Sequence, residues 1–275
     1  MPVRLFAFAF AFAFALAAFC GSSAFAEDKP KADPTLAEIE RAKKASLDKP
    51  DDANLLFALG SLYLKARKPE QGVETFTAAI KLKPELLEIR DRRGDAYLWL
   101  GKFTEAIEDY DAFLKANPKI GPQHWRRGIA LYYAGKFEEG VKQFDTHKTV
   151  NPEDVENAAW HYLCNSKVIG GEKARKGLIE VTRDSRIPMA EIQKLFAGSL
   201  KPEDVLAVAA KAKGAEKTSA LFYANLYVAL WYDAEGDAKK VREHLEIAVE
   251  KHAVPDYMWD VGNAHLKMLK AKDTK

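Results

Sequence analysis

Two stretches decide the fold: residues 92–118 read RRGDAYLWLGKFTEAIEDYDAFLKANP, and residues 126–152 read RRGIALYYAGKFEEGVKQFDTHKTVNP. They begin 34 residues apart and share the arginine pair, the glycine after it, the Gly-Lys-Phe turn and the closing Asn-Pro. A unit of this length suits two antiparallel helices of about 14 residues joined by a tight turn. The sequence therefore predicts an all-α chain built from repeated helix pairs.

Four series of residues recur at this interval. They are Gly60, Gly94 and Gly128; Gly72, Ala106 and Gly140; Phe76, Tyr110 and Phe144; and Pro84, Pro118 and Pro152. We expect the two small-residue series to let the helices of one unit touch, and the aromatic residue to fill the space between a unit and its neighbour. Proline should end the second helix because it has no N–H to donate to the preceding turn.

These positions resemble the signature of the tetratricopeptide repeat (TPR) family. The first unit carries Leu56, Leu59, Gly60, Tyr63, Gly72, Phe76, Ala79 and Pro84. The third unit is weaker, with Leu131 in place of the tyrosine and His147 in place of a small residue. The resemblance covers residues 53–152 and implies a TPR α-solenoid of antiparallel helix pairs with N- and C-terminal capping helices. Residues 35–48 have the apolar spacing of the N-terminal cap.

The register loosens after Pro152. Residues 153–169 could be the first helix of a fourth unit, but Gly170-Gly171 stands at its turn. We interpret 153–218 as an irregular helical region and 219–275 as a degenerate repeat with a C-terminal capping helix. Segments 195–203 and 222–237 resemble the C-terminal region of NlpI-type periplasmic TPR adaptor proteins. That resemblance implies an envelope adaptor that holds cell-wall hydrolases or presents substrates to a processing protease.

The first 26 residues predict export. Arg4 precedes an apolar run from Leu5 to Phe19, and residues 24–26, Ala-Phe-Ala, have the small-x-small pattern of a signal peptidase site. We predict cleavage after Ala26, a linker and capping helix over 27–52, and a periplasmic or secreted mature chain with no integral membrane span. The alternatives are an uncleaved anchor and a lipid on Cys20, against which the bulky Phe19 argues.

Charge and motifs favour binding over catalysis. The net charge is +2 with acids and bases interspersed, which predicts neither nucleic acid nor an anionic membrane as partner. The six histidines lack metal-site spacing, and no phosphate-binding loop or nucleophile motif is present, so we predict no catalytic residue, metal or cofactor. Cys164, the one cysteine left after cleavage, lies in an apolar helical run and should be buried. An enzyme with a site in 170–215 is the least favoured hypothesis.

The first helix of each unit supplies the candidate binding surface, because these helices line the inner face of a TPR superhelix. The predicted partner-binding residues form an aromatic and acidic groove: Phe57, Asp91, Asp95, Trp99, Trp125, Tyr132 and Tyr133. Aromatic residues at helical spacing are equally consistent with a core. The arginine pairs 92–93 and 126–127 fit a structural role, with Arg93 and Arg127 pairing with acids such as Asp109 or Asp145.

These observations predict a non-catalytic protein-protein interaction scaffold that binds other proteins or peptides through this face. The alternative is a structural protein that self-associates into a homo-oligomer through the exposed ends of the solenoid.

Overall fold

A computed structural model describes residues 34–272. Every regular element in that range is a helix and none is a strand, which confirms the all-α class. The predicted signal peptide, its cleavage site and Cys20 lie outside the described residues. Between residues 34 and 272, no helix is long and apolar enough to cross a bilayer.

The repeat region consists of three helix pairs behind a capping helix. The cap, α1 (Pro34–Asp48), packs Ile39 against Leu59 and Tyr63 of the first unit. The pairs are α2 (Ala53–Lys65) with α3 (Pro69–Leu82), α4 (Leu87–Trp99) with α5 (Phe103–Ala116), and α6 (Trp125–Tyr133) with α7 (Phe137–Lys148). A 3₁₀ turn over Pro118–Gln123 separates α5 from α6. The sequence period thus corresponds to one helix pair.

Within the described residues, the C-terminal half contains seven more α-helices and one π-helical segment, Ile247–Lys251, directly after α13. The α-helices are α8 (Val155–Ile169), α9 (Gly171–Lys176), α10 (Met189–Phe196), α11 (Pro202–Lys211), α12 (Glu216–Glu235), α13 (Ala238–Glu246) and α14 (Tyr257–Lys272). The longest, α12, buries Phe222, Leu226 and Leu230 completely. The last, α14, returns to pack against α4 of the second repeat. From Leu98 onward, the repeats share one hydrophobic core with the C-terminal half, whereas the first repeat and the cap α1 form two smaller clusters of buried residues.

Each repeat is closed by an aromatic ring that lies on the glycine of the same unit. A Cβ added to Gly60, Gly94 or Gly128 would lie 2.5, 2.5 or 2.6 Å from the ring of Phe76, Tyr110 or Phe144. The expectation that this aromatic fills the space between neighbouring units is thus incomplete, since the Tyr110 ring also packs edge-on against His124 of the next unit at 4.6 Å. The ring sits where the glycine leaves room for it, between the two helices of its own unit.

The second small-residue series lets the next unit approach. A Cβ on Gly140 would lie 2.6 Å from Sγ of Cys164, on α8, and one on Gly72 would reach Ala96 on α4 at 3.8 Å. Ala96, Ala130 and Cys164 continue the 34-residue interval into α8. Cys164 is buried as predicted, and burial raises the pKa of its thiol to about 12.

The turn inside each pair needs one residue in the left-handed region. Gly101 and Gly135 occupy it with φ of 72° and 74°, and Arg67 occupies the equivalent place in the first unit with φ of 53°. Glycine adopts this conformation without steric strain, whereas arginine rarely does. The first unit therefore keeps a side chain where the others have none.

The second arginine of each pair has the predicted structural role. Arg93 donates to both carboxylate oxygens of Asp109, at 2.7 and 2.8 Å. Arg127 donates to Asp111 at 2.5 Å and not to Asp145, which instead lies 3.2 Å from His161. The first of these pairs connects the two helices of one unit, whereas the pair of Arg127 with Asp111 connects α6 to α5 of the preceding unit.

Candidate functional site

The C-terminal helices cover much of the face predicted to bind a partner. Tyr257, at the start of α14, packs edge-on against Trp99 and Trp125, with ring centroids 5.7 and 5.1 Å away. Arg67 contacts the same helix twice. Its Nε donates to Asp260 at 3.0 Å, and its guanidinium lies 4.4 Å from the centre of the Trp259 ring. The middle of the groove is thus filled from within the chain.

The two predicted acidic residues share Arg126, and each has a second partner: Arg92 for Asp95 and His124 for Asp91. The guanidinium of Arg126 donates to Asp95 at 2.6 Å and to Asp91 at 2.8 Å. Asp95 is fully buried and also accepts from the hydroxyls of Tyr110 and Tyr257, at 2.9 and 3.2 Å. Burial alone would raise the pKa of Asp91, but its bonds to His124 and Arg126 lower it. Both carboxylates therefore serve to join α4 to α6.

The two tyrosines of α6 face the C-terminal half. Tyr132 is 5% exposed, and its hydroxyl donates to the carboxylate of Asp233 on α12. The hydroxyl of Tyr133 lies 3.2 Å from Nδ1 of His265 on α14, and its ring stacks on Phe103 at 4.8 Å. Phe57, on α2 of the first repeat, packs against Phe76 with their ring centroids 6.0 Å apart. A partner-binding role for these three residues stays a prediction.

Trp125 is the predicted residue that lines a cavity. The cavity measures about 500 Å³ and lies between the third repeat, α8 and the C-terminal half. Aromatic and apolar side chains form much of its wall: Trp125, Ile129, Phe144, Trp160, Tyr223, Tyr257 and Met258. Polar side chains complete it: Gln123, His147, Asn151, Asp154, Glu156, Asn157, Arg186 and Asp256.

One guanidinium serves several carboxylates at the cavity. Arg186 donates to Asp184 and to Glu156 at 2.6 Å each, and to Asp154 at 3.1 Å. Glu156 also accepts from the hydroxyl of Tyr227 at 2.7 Å. Burial raises the pKa of Glu156 to about 7 despite the opposing effect of Arg186. The cationic capacity of Arg186 is therefore already used within the chain.

Two buried polar side chains at the cavity have no partner among the described residues. Asn157 is 3% exposed, and neither its amide nitrogen nor its amide oxygen makes a hydrogen bond. Trp160 is 2% exposed, and its indole N–H is likewise without an acceptor. A buried polar group without a partner typically destabilises a protein by about 1–3 kcal/mol. These groups mark a place where a bound molecule could supply hydrogen bonds.

The arrangement is suited to binding more than to catalysis. Glu156 could exchange a proton near neutral pH, but it is bonded to Arg186 and Tyr227. Nowhere in residues 34–272 do three or more His, Cys, Asp or Glu side chains group closely enough to hold a metal ion.

Sequence reasoning missed the part of the cavity that lies outside the three repeats. One signal was present: Glu156 stands 68 residues after Glu88, at the same place of a fourth unit. No pattern pointed to Arg186, which lies in the irregular region 153–218, or to Tyr223 and Asp256, which lie in 219–275, where the repeat is degenerate.

Comparison with known proteins supports the repeat assignment. The tetratricopeptide repeat family model matches residues 57–119 and 92–155. A tetratricopeptide repeat protein from Parabacteroides merdae has a similar structure, with a TM-score of 0.55 at 17% identity, over 86% of this chain and 92% of that one. This likeness concerns the fold alone.

Two further structures are more distant. MamA from Desulfovibrio magneticus RS-1 has a TM-score of 0.48 at 17% identity, over 52% of this chain and 80% of that one. YrrB, described as a TPR protein with an unusual peptide-binding site, has a TM-score of 0.45 at 16% identity, over 84% of this chain and 99% of that one. No curated protein sequence matches the chain significantly. Residues 57–155 thus carry tetratricopeptide repeats, and the chain folds as an all-α TPR solenoid.

Proposed function

We propose that this chain is a non-catalytic adaptor of the cell envelope that binds a segment of a partner protein in the cavity beside Trp125. TPR proteins generally mediate protein-protein interactions. The cavity supports this use because its aromatic wall offers apolar contact while the unpartnered amide of Asn157 offers a hydrogen-bond donor and acceptor. A peptide unit, with one N–H and one C=O, has the complementary pair.

The cavity is a better place for a partner than the middle of the groove. Over α4, Tyr257 already packs on Trp99, and Asp95 is bonded to Arg126, so a partner would have to displace α14. At the cavity no such displacement is needed. Of the residues predicted from the sequence, Trp125 is the one we propose to contact the partner directly.

The envelope setting rests on the N-terminal sequence and on the resemblance to NlpI-type periplasmic proteins. It predicts that the mature chain starts at Glu27 and meets its partner outside the cytoplasm. Fractionation of cells followed by N-terminal sequencing of the chain would test both points. A full-length chain in the cytoplasmic fraction would contradict them.

Selected peptides test the binding site. A displayed library of random 12-residue peptides is enriched on the chain from residue 27, and dissociation constants of the selected peptides are measured by fluorescence anisotropy. We expect Trp125→Ala to weaken binding by tenfold or more, and Leu47→Ala, at a side chain 79% exposed on α1, to leave it unchanged. Circular dichroism confirms that both variants fold. Failure to select binders, or equal binding by Trp125→Ala, would contradict the proposal.

Self-association is the second candidate, and one observation favours it. Leu36 and Leu47 of α1 are 44% and 79% exposed at the N-terminal end of the solenoid. Light scattering of the chain at rising concentration decides it, because a monomer at all concentrations would contradict this candidate.

A further inference from the structure

The carboxylates that line the cavity outnumber its guanidinium. Asp154, Glu156 and Asp256 line it, against Arg186 alone. Arg186 is engaged by Asp154, Glu156 and also by Asp184, which lies just outside. His147 lies 3.8 Å from Asp154, the carboxylate to which it is nearest. Arg186 and His147 thus face Asp154, and burial keeps Glu156 partly protonated near pH 7, so Asp256 is the carboxylate of the wall that is left without a cationic side chain.

Asp256 is the carboxylate that lacks a cation. One of its oxygens accepts from the backbone N–H of Met258 at 2.8 Å, which caps the start of α14, and the carboxylate also faces the hydroxyl of Tyr223, whose pKa it helps to raise. The guanidinium of Arg67 donates to the backbone carbonyl of Asp256 at 3.4 Å. Within residues 34–272, no Lys, Arg or His side chain forms an ion pair with it. This carboxylate stands beside Tyr257 on the wall of the cavity.

The aromatic wall reinforces the preference for a cation. Trp125, Trp160, Tyr223 and Tyr257 line the same space. The face of an aromatic ring attracts a cation within about 6 Å of its centre, most strongly when water is excluded. The chain uses this contact elsewhere, where Arg67 lies over Trp259 and Arg126 lies 5.7 Å from the centre of Tyr110.

Other occupants fit the cavity less well. An acidic side chain would bring a further negative charge next to three carboxylates. An apolar side chain would remove Asp256 from water without providing a partner, which is unfavourable for a charged group. A positively charged side chain would pair with Asp256 and lie against the aromatic rings.

We propose that the cavity selects a basic side chain, lysine or arginine, of the bound partner segment, with Asp256 as its ion-pair partner. This inference rests on the proposed function, since it names the chemistry of the segment that occupies the same cavity. Asn157 would then hold the backbone of the segment while Asp256 and the aromatic rings select its side chain.

The selected peptides provide the test. Each lysine in them is replaced by norleucine, which keeps its four side-chain carbons, and each arginine by citrulline, which keeps its length; both replacements remove the charge. We expect one position at which this replacement weakens binding by tenfold or more. Asparagine at position 256 can still accept the hydrogen bond from the Met258 N–H. Asp256→Asn should therefore weaken binding of the parent peptide by a similar factor and leave binding of the uncharged peptide unchanged.

Charge reversal provides a gain-of-binding readout. Asp256→Lys should bind the peptide with glutamate at the sensitive position more tightly than the parent peptide. If binding depends on Trp125 but the uncharged peptides bind as well as the parents, the cation preference is overturned while the proposed site stands. If binding does not depend on Trp125, both are overturned. An Asp256→Asn variant that binds the parent peptide normally also overturns the inference.

Discussion

The repeat region and the C-terminal half are stabilised in different ways. In the repeats, a glycine and an aromatic residue 16 positions later meet in every unit, so the same contact is made three times. In the C-terminal half, each helix makes its own contacts, and α12 is buried along most of its length without a repeating partner. The repeats supply one wall of the cavity, and the irregular C-terminal half supplies the others.

The two halves also differ in where their ion pairs lie. The repeats keep their ion pairs between helices of one unit or of adjacent units, as for Arg93 with Asp109 and Arg126 with Asp95. The ion pair between Arg67 and Asp260 connects residues 193 positions apart and joins the first repeat to α14. The two halves are therefore coupled through a few long-range contacts that can be removed individually.

The largest expected effect is at the repeat glycines. Gly128→Ala places a methyl group 2.6 Å from the Phe144 ring, which is itself 1% exposed and cannot move aside. Overpacking of this kind destabilises by about 1–3 kcal/mol. Denaturant unfolding followed by circular dichroism would measure the change.

Two glycines serve as controls for this prediction. Gly121 has open space around its missing Cβ, so Gly121→Ala should leave stability nearly unchanged. In the C-terminal half, the methyl group added by Gly262→Ala would lie 3.2 Å from the flexible end of the Leu226 side chain. The higher helix propensity of alanine offsets part of the energetic cost of that contact. A Gly262→Ala variant as destabilised as Gly128→Ala would break the contrast between the two halves.

An intermediate effect is expected at the link between the halves. Arg67→Gln removes the cation from Asp260, whose side chain is 8% exposed and whose pKa burial already raises to about 6. At pH 8 the carboxylate is charged and left without its partner, whereas at pH 5 most of it is protonated. Because the Arg67 side chain is 36% exposed and partly screened by water, we expect a loss of about 1–2 kcal/mol at pH 8 and a smaller loss at pH 5.

Hydrogen exchange locates this effect. Backbone amides of α14 should exchange faster in Arg67→Gln, while those of α5 stay protected. Lys68→Gln, which removes one positive charge from the adjacent position, is the matched control. Equal losses at both pH values would show that the ion pair with Asp260 is not the cause.

The smallest expected effect concerns Glu156 at the cavity. Its folded pKa of about 7 is above the usual value, so the folded chain holds a proton that the unfolded chain releases. The contribution of Glu156 to stability therefore falls as the pH rises from about 4.5 to 7, and the loss is complete above that range. Glu156→Gln should be more stable than the parent at pH 8 by about 1 kcal/mol, and closer to it at pH 5.

Thermal unfolding at both pH values measures the difference. Asp154, Arg186, Tyr223 and Tyr227 surround Glu156 and remain in the variant, so the comparison isolates its charge. A variant that is less stable than the parent at pH 8 would contradict the raised pKa.

The sequence by itself determined the repeat region. The 34-residue period identified helix pairs and placed Arg93 beside Asp109, because these contacts lie within one unit. The apolar run around Cys164 predicted that this residue is buried. The period did not show that the aromatic series also packs on the glycine of its own unit, since it says which residues are equivalent but not which surfaces each one touches.

Only the tertiary structure revealed the cavity and showed that α14 covers the middle of the groove. Trp125 meets Tyr257 across more than a hundred residues of chain, and Arg186 reaches Glu156 from a segment without the repeat. Such contacts depend on how α14 folds back over the repeats to bury apolar surface of both halves. A periodic pattern carries no information about a contact that is made once, so the site with its unpaired carboxylate could be found only from the folded chain.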